Sequence, residues 1–246
     1  MIEITDELRN LLNPDSAVAV LTGAGISAES GVPTFRGEEG LWSKFRPEEL
    51  ANVDAFMSNP DMVWAWYQHR REIINEVGPN PGHHALARME EKIHDFSLIT
   101  QNVDGLHRRA GNKNVYELHG NIQRNKCIDC GKFFDKLPDE ASDKVPECDE
   151  CGGKIRPDVV WFGEMLPQDI IHRAFEVAEK SALFFSIGTS AVVQPAASIP
   201  VMAKQAGAYL VEINVEPTVI TSYVDLFLQG KSGEILPVIL EECGLA

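Results

Sequence analysis

The stretch Val18-Ala19-Val20-Leu21-Thr22-Gly23-Ala24-Gly25-Ile26-Ser27-Ala28-Glu29-Ser30-Gly31 decides the fold. An apolar run enters a glycine-rich turn, and a small-residue segment leaves it. Gly23, Gly25 and Ala28 match the G-x-G-x-x-G/A spacing that carries a strand into a helix close against a pyrophosphate. Without a Cβ, Gly23 permits the tight turn, and Gly25 is expected to clear room for phosphate oxygens. Free amides at the start of the following helix would then face the anion. Glycine turns after strands are common, so the motif alone is a weak signal. The continuation Gly31-Val32-Pro33-Thr34-Phe35-Arg36-Gly37 strengthens it by adding an arginine suited to phosphate.

Outward from this turn, strand-like and helix-like segments alternate. Residues 5–12 read as a short helix and 17–22 as a buried strand. Further strands are expected at 96–100, 115–118, 159–162, 183–187 and 209–213. Helices are expected at 61–77, 81–92, 168–180, 195–206 and 232–242. Polar residues gather just beyond the strand ends, where open parallel sheets bind ligands. The expected architecture is a Rossmann-like α/β fold: a parallel sheet domain from 1–37, 79–120 and 159–246, a helical insertion at 38–78, and a small metal-binding module at 121–158.

The chain has 246 residues, 44% of them apolar, enough for a sizeable core. No run of about 18 apolar residues occurs, so no membrane span is expected. The acidic start Met1-Ile2-Glu3-Ile4-Thr5-Asp6-Glu7 lacks a signal-peptide pattern, and a cytoplasmic location is expected. A net charge of −15 argues against direct nucleic-acid binding or attachment to anionic membranes, and it tolerates basic, lysine-bearing partners.

Four of the five cysteines form Cys127-x2-Cys130 and Cys148-x2-Cys151, separated by 17 residues. That spacing fits a zinc site. Four soft thiolates close a tetrahedral shell with no open position, so the site is read as structural. Residues 121–158 lack a continuous apolar pattern, and a metal is expected to organise them. Cys243 stands apart and reads as a small core residue.

Five segments, in order, resemble the sirtuins, the NAD-dependent protein lysine deacylases. They are residues 23–37, Thr100-Gln101-Asn102-Val103-Asp104-Gly105-Leu106-His107, Glu117-Leu118-His119-Gly120, the two cysteine pairs, and Gly188-Thr189-Ser190. Together they span most of the chain. The resemblance implies NAD as a co-substrate, one structural zinc ion, and acylated lysine in proteins or peptides as partner. It makes His119 the general base, a role that neutral imidazole fills near physiological pH. Asn102 would organise the ribose and an ordered water, Gln101 would contact ribose hydroxyls, and Asp104 would recognise the nicotinamide carboxamide beside Val103. The glycine loop would hold the cofactor through Gly23, Ala24, Gly25, Ile26, Ala28, Glu29, Thr34, Phe35, Arg36 and Trp42. Gly188, Thr189 and Ser190 would bind phosphate or ribose. Asn214, Val215 and Glu216 would hold the adenosine ribose, and Ser232 would lie near adenine. Phe162, Gly163 and Glu164 would pair with the substrate backbone as an added strand. A loop around residues 34–40 would move, with Gly37 and Gly40 as hinges.

By the same resemblance, the acyl-lysine carbonyl oxygen attacks C1′ of the nicotinamide ribose and nicotinamide leaves. His119 then deprotonates a ribose hydroxyl, and free lysine and 2′-O-acyl-ADP-ribose result. The acidic residue that ordinary dinucleotide sites carry about 20 positions beyond the turn has no convincing counterpart, because Glu38 and Glu39 do not end a strand. That departure speaks against a dehydrogenase.

Tyr67 and Arg70 are three apart on an expected helix, so phenol and guanidinium share a face. Arginine grips a carboxylate with two parallel N–H bonds, and a tyrosine hydroxyl adds a third. Helical spacing alone is equally that of an amphipathic helix with a snorkelling arginine. Within sirtuins, Tyr-x-x-Arg here resembles the branch that removes succinyl and malonyl groups; a small Ala28 and Thr34 in place of aspartate agree. Alternatives are a plain deacetylase, a protein mono-ADP-ribosyltransferase, a redox Rossmann enzyme and a zinc-knuckle interaction module.

Overall fold

A computed structural model describes residues 4–34, 50–134, 137 and 144–246. Its centre is a six-stranded parallel sheet built from β1 (Ala17–Thr22), β2 (Asp95–Thr100), β3 (Val115–Glu117), β7 (Leu183–Ile187), β8 (Tyr209–Asn214) and β9 (Leu226–Gln229), in the order β3-β2-β1-β7-β8-β9. The chain builds outward from β1 in one direction, then resumes at β7 on its other side. The topological switch point therefore lies between β1 and β7, and ligands bind outside the carboxyl ends of strands at such a point.

Burial on both faces explains the continuous apolar runs of these strands. Alternate residues serve opposite layers. Val18, Val20, Leu98, Phe185 and Ile187 face one core, packed with Leu86, Met89, Leu236 and Ile239. Those four belong to α5 (Pro81–Lys92) and α9 (Ser232–Glu242). Ala19, Leu21, Ile99, Phe184 and Leu210 face the other, with Ala174 and Ala178 of α7 (Gln168–Lys180) and Ile199 and Ala203 of α8 (Ile199–Gln205). The start of α5 is set locally. Asn80 accepts the amides of Gly82 and His83, His83 Nδ1 accepts the amide of Asn80, and Pro81 occupies the first turn.

The second sheet is antiparallel, β5-β4-β6, from β4 (Gly120–Cys127), β5 (Phe133–Phe134) and β6 (Ile155–Val159). Beside it lie α3 (Val53–Ser58) and α4 (Pro60–Glu76), each capped by an asparagine side chain. Val63, Trp64, Tyr67, Arg70, Arg71 and Ile74 form the buried face of α4. Arg71 pins it to β4, its Nε donating to the Ile122 carbonyl at 2.6 Å. Short helices α1 (Asp6–Leu11), α2 (Ala24–Ala28) and α6 (Leu106–Ala110) complete the described elements, with 3-10 turns at Ala196–Ser198 and Thr221–Tyr223.

Two expectations need correction. The strand expected at 159–162 ends at Val159; residues 162–163 form a turn, and Gly163 there has φ +87°. The segment expected to be helical from 195 opens with a 3-10 turn before α8.

Candidate active site

The two glycine turns meet at the switch point. The Gly23 amide donates to the Ile187 carbonyl at 2.9 Å, and the Gly25 amide donates to the Gly188 carbonyl at 2.8 Å. A Cβ on Gly25 would sit 2.7 Å from the Gly188 Cα, and one on Gly23 would sit 2.7 Å from the Gly188 carbonyl oxygen. Gly25 is therefore bare because the partner turn's backbone occupies its side-chain space, which corrects the expectation that it clears room for phosphate. At the start of the following helix, the Ile26 amide donates back to the Gly23 carbonyl at 3.3 Å.

Beyond these turns opens a cavity of about 890 Å³. Every parallel strand from β3 to β8 delivers residues to it. Gly23, Ala24 and Gly25 follow β1; Gln101, Asn102 and Val103 follow β2; His119 follows β3. Gly188, Thr189 and Ser190 follow β7, and Asn214, Val215 and Glu216 end and follow β8. Thr34, Tyr67, Arg70, Phe162, Gly163 and Glu164 line it as well. A pocket of about 10 Å³ adjoins it, lined by Ser27 and Asp104, and shares Ala24, Arg70, Asn102 and Val103 with the larger cavity.

His119 is fixed in one tautomer. Its Nδ1 lies 2.9 Å from the Gln101 carbonyl oxygen, which can only accept, so Nδ1 carries the proton and Nε2 keeps a lone pair. Burial lowers its pKa, against the opposing pull of that hydrogen bond. The turn that carries it is held by charge. Glu117, buried, takes Arg124 at 2.6 Å, Arg108 at 3.3 Å and the Asn121 amide at 2.8 Å. Gly120 is required at φ +78°, where a Cβ would fall 2.1 Å from the Asp158 carbonyl oxygen.

Polar residues after β2 form a single network. Asn102 Nδ2 donates to the Gly23 carbonyl at 2.9 Å and to Ser27 Oγ at 3.1 Å, and Ser27 donates to Asp104 at 2.8 Å. Burial raises the pKa of Asp104, countered by the Leu106 amide and Ser27. Gln101 Nε2 donates to Thr189 Oγ1 at 2.9 Å, joining the β2 and β7 turns.

Several expected site residues lie elsewhere. Glu29 caps α9, accepting from Ser232 Oγ at 2.6 Å and the Gly233 amide at 3.0 Å, so both Glu29 and Ser232 are occupied away from the cavity wall. Ile26 is buried in the sheet core and Ala28 is exposed, while Ala24 of the same helix lines the wall. Glu164 lines the cavity, but its carboxylate holds Arg156 at 2.5 and 2.9 Å and the Trp161 amide at 2.8 Å. Phe35, Arg36, Gly37, Gly40 and Trp42 lie outside the described residues. Sequence reasoning missed Trp161, Val193 and Thr218, which also line the cavity. The aromatic run into Phe162 was a signal for Trp161; nothing marked the other two.

The four cysteine Sγ atoms lie within 4.8 Å of one another, with Cys127–Cys151 at 3.5 Å and Cys130–Cys148 at 3.8 Å. A tetrahedral zinc with Zn–S bonds near 2.3 Å sets its sulfurs roughly 3.8 Å apart, so the cluster fits that ion. Turns at Gly131 (φ +75°) and Gly152 (φ +72°) shape the two knuckles.

The doubly wound sheet, with a cavity at its switch point and a four-cysteine cluster that fits zinc, places the chain in the Rossmann-like class. The model of the Sir2 family matches residues 23–195. NAD-dependent protein deacylase 2 of Pyrobaculum aerophilum is 53% identical over 234 residues, covering 95% of this chain and 93% of that protein. A Sir2 homologue solved with NAD superposes with a TM-score of 0.89 at 44% identity, covering 100% of this chain and 96% of the other. A Sir2 complex with a p53 peptide and NAD+ gives 0.86 at 36% identity, covering 99% and 100%. The chain belongs to the Sir2 family, the sirtuins.

Proposed function

We propose that this protein removes acyl groups from protein lysine side chains at the expense of NAD, and that carboxylate-bearing acyl groups, succinyl and malonyl, are its preferred substrates, with acetyl also accepted. NAD-dependent deacylation is the activity for which its Sir2 relatives are named. The observation that carries the acyl preference is that Tyr67 and Arg70 stand in the wall of the cavity that also holds His119. Both are buried. Burial lowers the pKa of Arg70, while Tyr67 and Asp104 oppose that shift. A buried guanidinium on a cavity wall favours an anionic occupant.

When bound, NAD supplies an electrophilic ribose carbon. Each residue has a part. His119, neutral with its Nε2 free, accepts a proton from a ribose hydroxyl. Gln101 and Asn102, locked to Thr189 and Gly23, orient that ribose. Asp104 lines the small adjoining pocket with Ser27 and Asn102, and recognises the carboxamide. Tyr67 and Arg70 receive the acyl carboxylate. One water is consumed in releasing the lysine amine from the acyl carbon, and the products are nicotinamide, free lysine and 2′-O-acyl-ADP-ribose. The four cysteines hold zinc as a structural ion, and thiol ligands need a reducing compartment, which supports a cytoplasmic location.

Incubation with NAD and matched acetyl-, malonyl- and succinyl-lysine peptides, read by mass spectrometry, tests the reading. Arg70→Met should cut kcat/KM on the succinyl peptide by roughly 10–100-fold, the worth of a charge-assisted hydrogen-bonded pair, and spare the acetyl peptide. An equal fall on both would remove Arg70 from the acyl site. Nicotinamide release without acyl loss would point to ADP-ribosyl transfer.

A further inference from the structure

Trp161 is the one partner of the Tyr67 hydroxyl among the described residues. Its indole Nε1 donates to Tyr67 Oη at 2.8 Å. An indole nitrogen is a donor only, whereas a phenol both accepts and donates. With one lone pair of Oη taken by the indole proton, the hydroxyl's own proton must point away from Trp161. Among the described residues no other group is hydrogen-bonded to the hydroxyl, and a buried donor left unpaired is costly. An acceptor on the cavity's occupant satisfies it.

The indole is itself firmly placed. The Arg156 guanidinium stacks on its ring at 3.2 Å and is gripped by Glu164, which also takes the Trp161 amide. Phe56 packs on the ring at 5.2 Å. Trp161 is 2% exposed and Arg156 is 2% exposed.

We propose that Trp161 is a positioning residue for acyl selection: by donating to Tyr67, it turns the phenol into an obligate donor for a carboxylate-bearing acyl group. This rests on the acyl reading above. Glu164 and Arg156 act as the support that holds the indole in place.

The test is a double-mutant cycle on the wild-type background, in zinc-replete protein, with Trp161→Phe, Tyr67→Phe and the pair. The readout is the ratio of kcat/KM on succinyl- and acetyl-lysine peptides. Trp161→Phe should lower that ratio about three- to tenfold, the scale of a misdirected hydrogen bond to a charged group, with most of the change in KM. In the Tyr67→Phe background the same substitution should leave the ratio within about twofold, because the group it orients is gone. Since phenylalanine also shrinks the side chain, a benzothienyl-alanine at 161, with sulfur in place of the N–H, keeps the bicyclic shape and should reproduce the drop. An unchanged ratio in either 161 variant, or the same drop with and without the phenol, overturns the proposal. If the wild type itself shows no preference that Arg70→Met removes, the acyl reading has failed and the positioning role falls with it; a preference that Arg70→Met removes and the 161 variants keep overturns the positioning role alone.

Discussion

Replacing Gly25 with alanine separates two explanations of the glycine turn. If the residue is bare so that phosphate can approach, the ligand-free protein should not notice a methyl group. It should even gain, because alanine is the better helix former by about 1 kcal/mol and Gly25 lies within α2. The structure places that methyl 2.7 Å from the Gly188 Cα and 2.8 Å from its carbonyl oxygen, about 0.7 Å short of an ordinary contact. Both obstacles are backbone. They cannot swing aside, since Gly188 is tied to Gly25 at 2.8 Å and its amide to the Ile213 carbonyl at 2.9 Å. Overpacking of this kind costs about 1–3 kcal/mol, and the stretched turn-to-turn hydrogen bond adds about 1 kcal/mol. Against the helix gain, the net loss is about 1–3 kcal/mol. At roughly 2–4 °C per kcal/mol for a chain of this size, Tm should fall by about 2–12 °C. Thermal unfolding of zinc-replete protein without dinucleotide measures it. A ligand-free Tm equal to or above the wild type's would refute the interlock and restore the phosphate explanation.

Because burial lowers the pKa of His119, its neutral form persists on acidification, and the acid limb of the kcat/KM profile should fall below the ordinary histidine value near 6.5; a limb above that value would contradict the burial argument. His83, lowered to about 4 by burial, and His107, lowered well below its usual value, stay neutral when folded but take up protons when unfolded. Stability is therefore unaffected above about pH 6.5 and should decline as pH drops from there toward about 4, each residue adding up to about 1.4 kcal/mol per pH unit; urea midpoints at stepped pH check this. Chelation of zinc should reduce deacylation and thermal stability together, and re-addition of zinc alone should restore both.

The parallel sheet was legible because its strands are buried on both faces and read as apolar runs with abrupt polar ends; the boundaries at 17–22 and 183–187 coincide with β1 and β7. β4 was not legible. Its sequence Gly-Asn-Ile-Gln-Arg-Asn-Lys-Cys carries one large apolar side chain, and its pairing with β6 is irregular between Asn121 and Asn125. Its order comes from non-local partners, namely Arg71, Asp158 and the cysteine cluster, none of which leaves a local pattern. β9 did leave one, Leu226-Phe227-Leu228, but four residues are too few to separate a strand from a buried loop. In the site, residues after strand ends were legible from polarity. The contact between Glu29 and the start of α9 was not legible, because a side chain's place in sequence does not say which way it faces and its partners Ser232 and Gly233 lie about 200 residues away.

The metal site and the cavity belong to one mechanical system. β4 begins at the residue after His119 and ends at Cys127, a span of roughly 25 Å for eight strand residues. β6 returns from the second knuckle, pairing Ile155 with Cys127 and Val159 with Gly120, and ends two residues before Trp161. At the near end the Val160 amide donates to the His119 carbonyl at 2.9 Å. The four thiolates thus close the far end of a two-stranded lever whose near end carries the base on one strand and the indole beside Tyr67 on the other. A two-stranded antiparallel pair is marginal by itself, and β5 adds only two residues to it. Cross-linking the far ends joins the Arg71 and Asp158 contacts in holding the register, and a slip of one residue would turn every side chain to the opposite face. A zinc ion roughly 25 Å from the chemistry can therefore be indispensable to it without touching substrate.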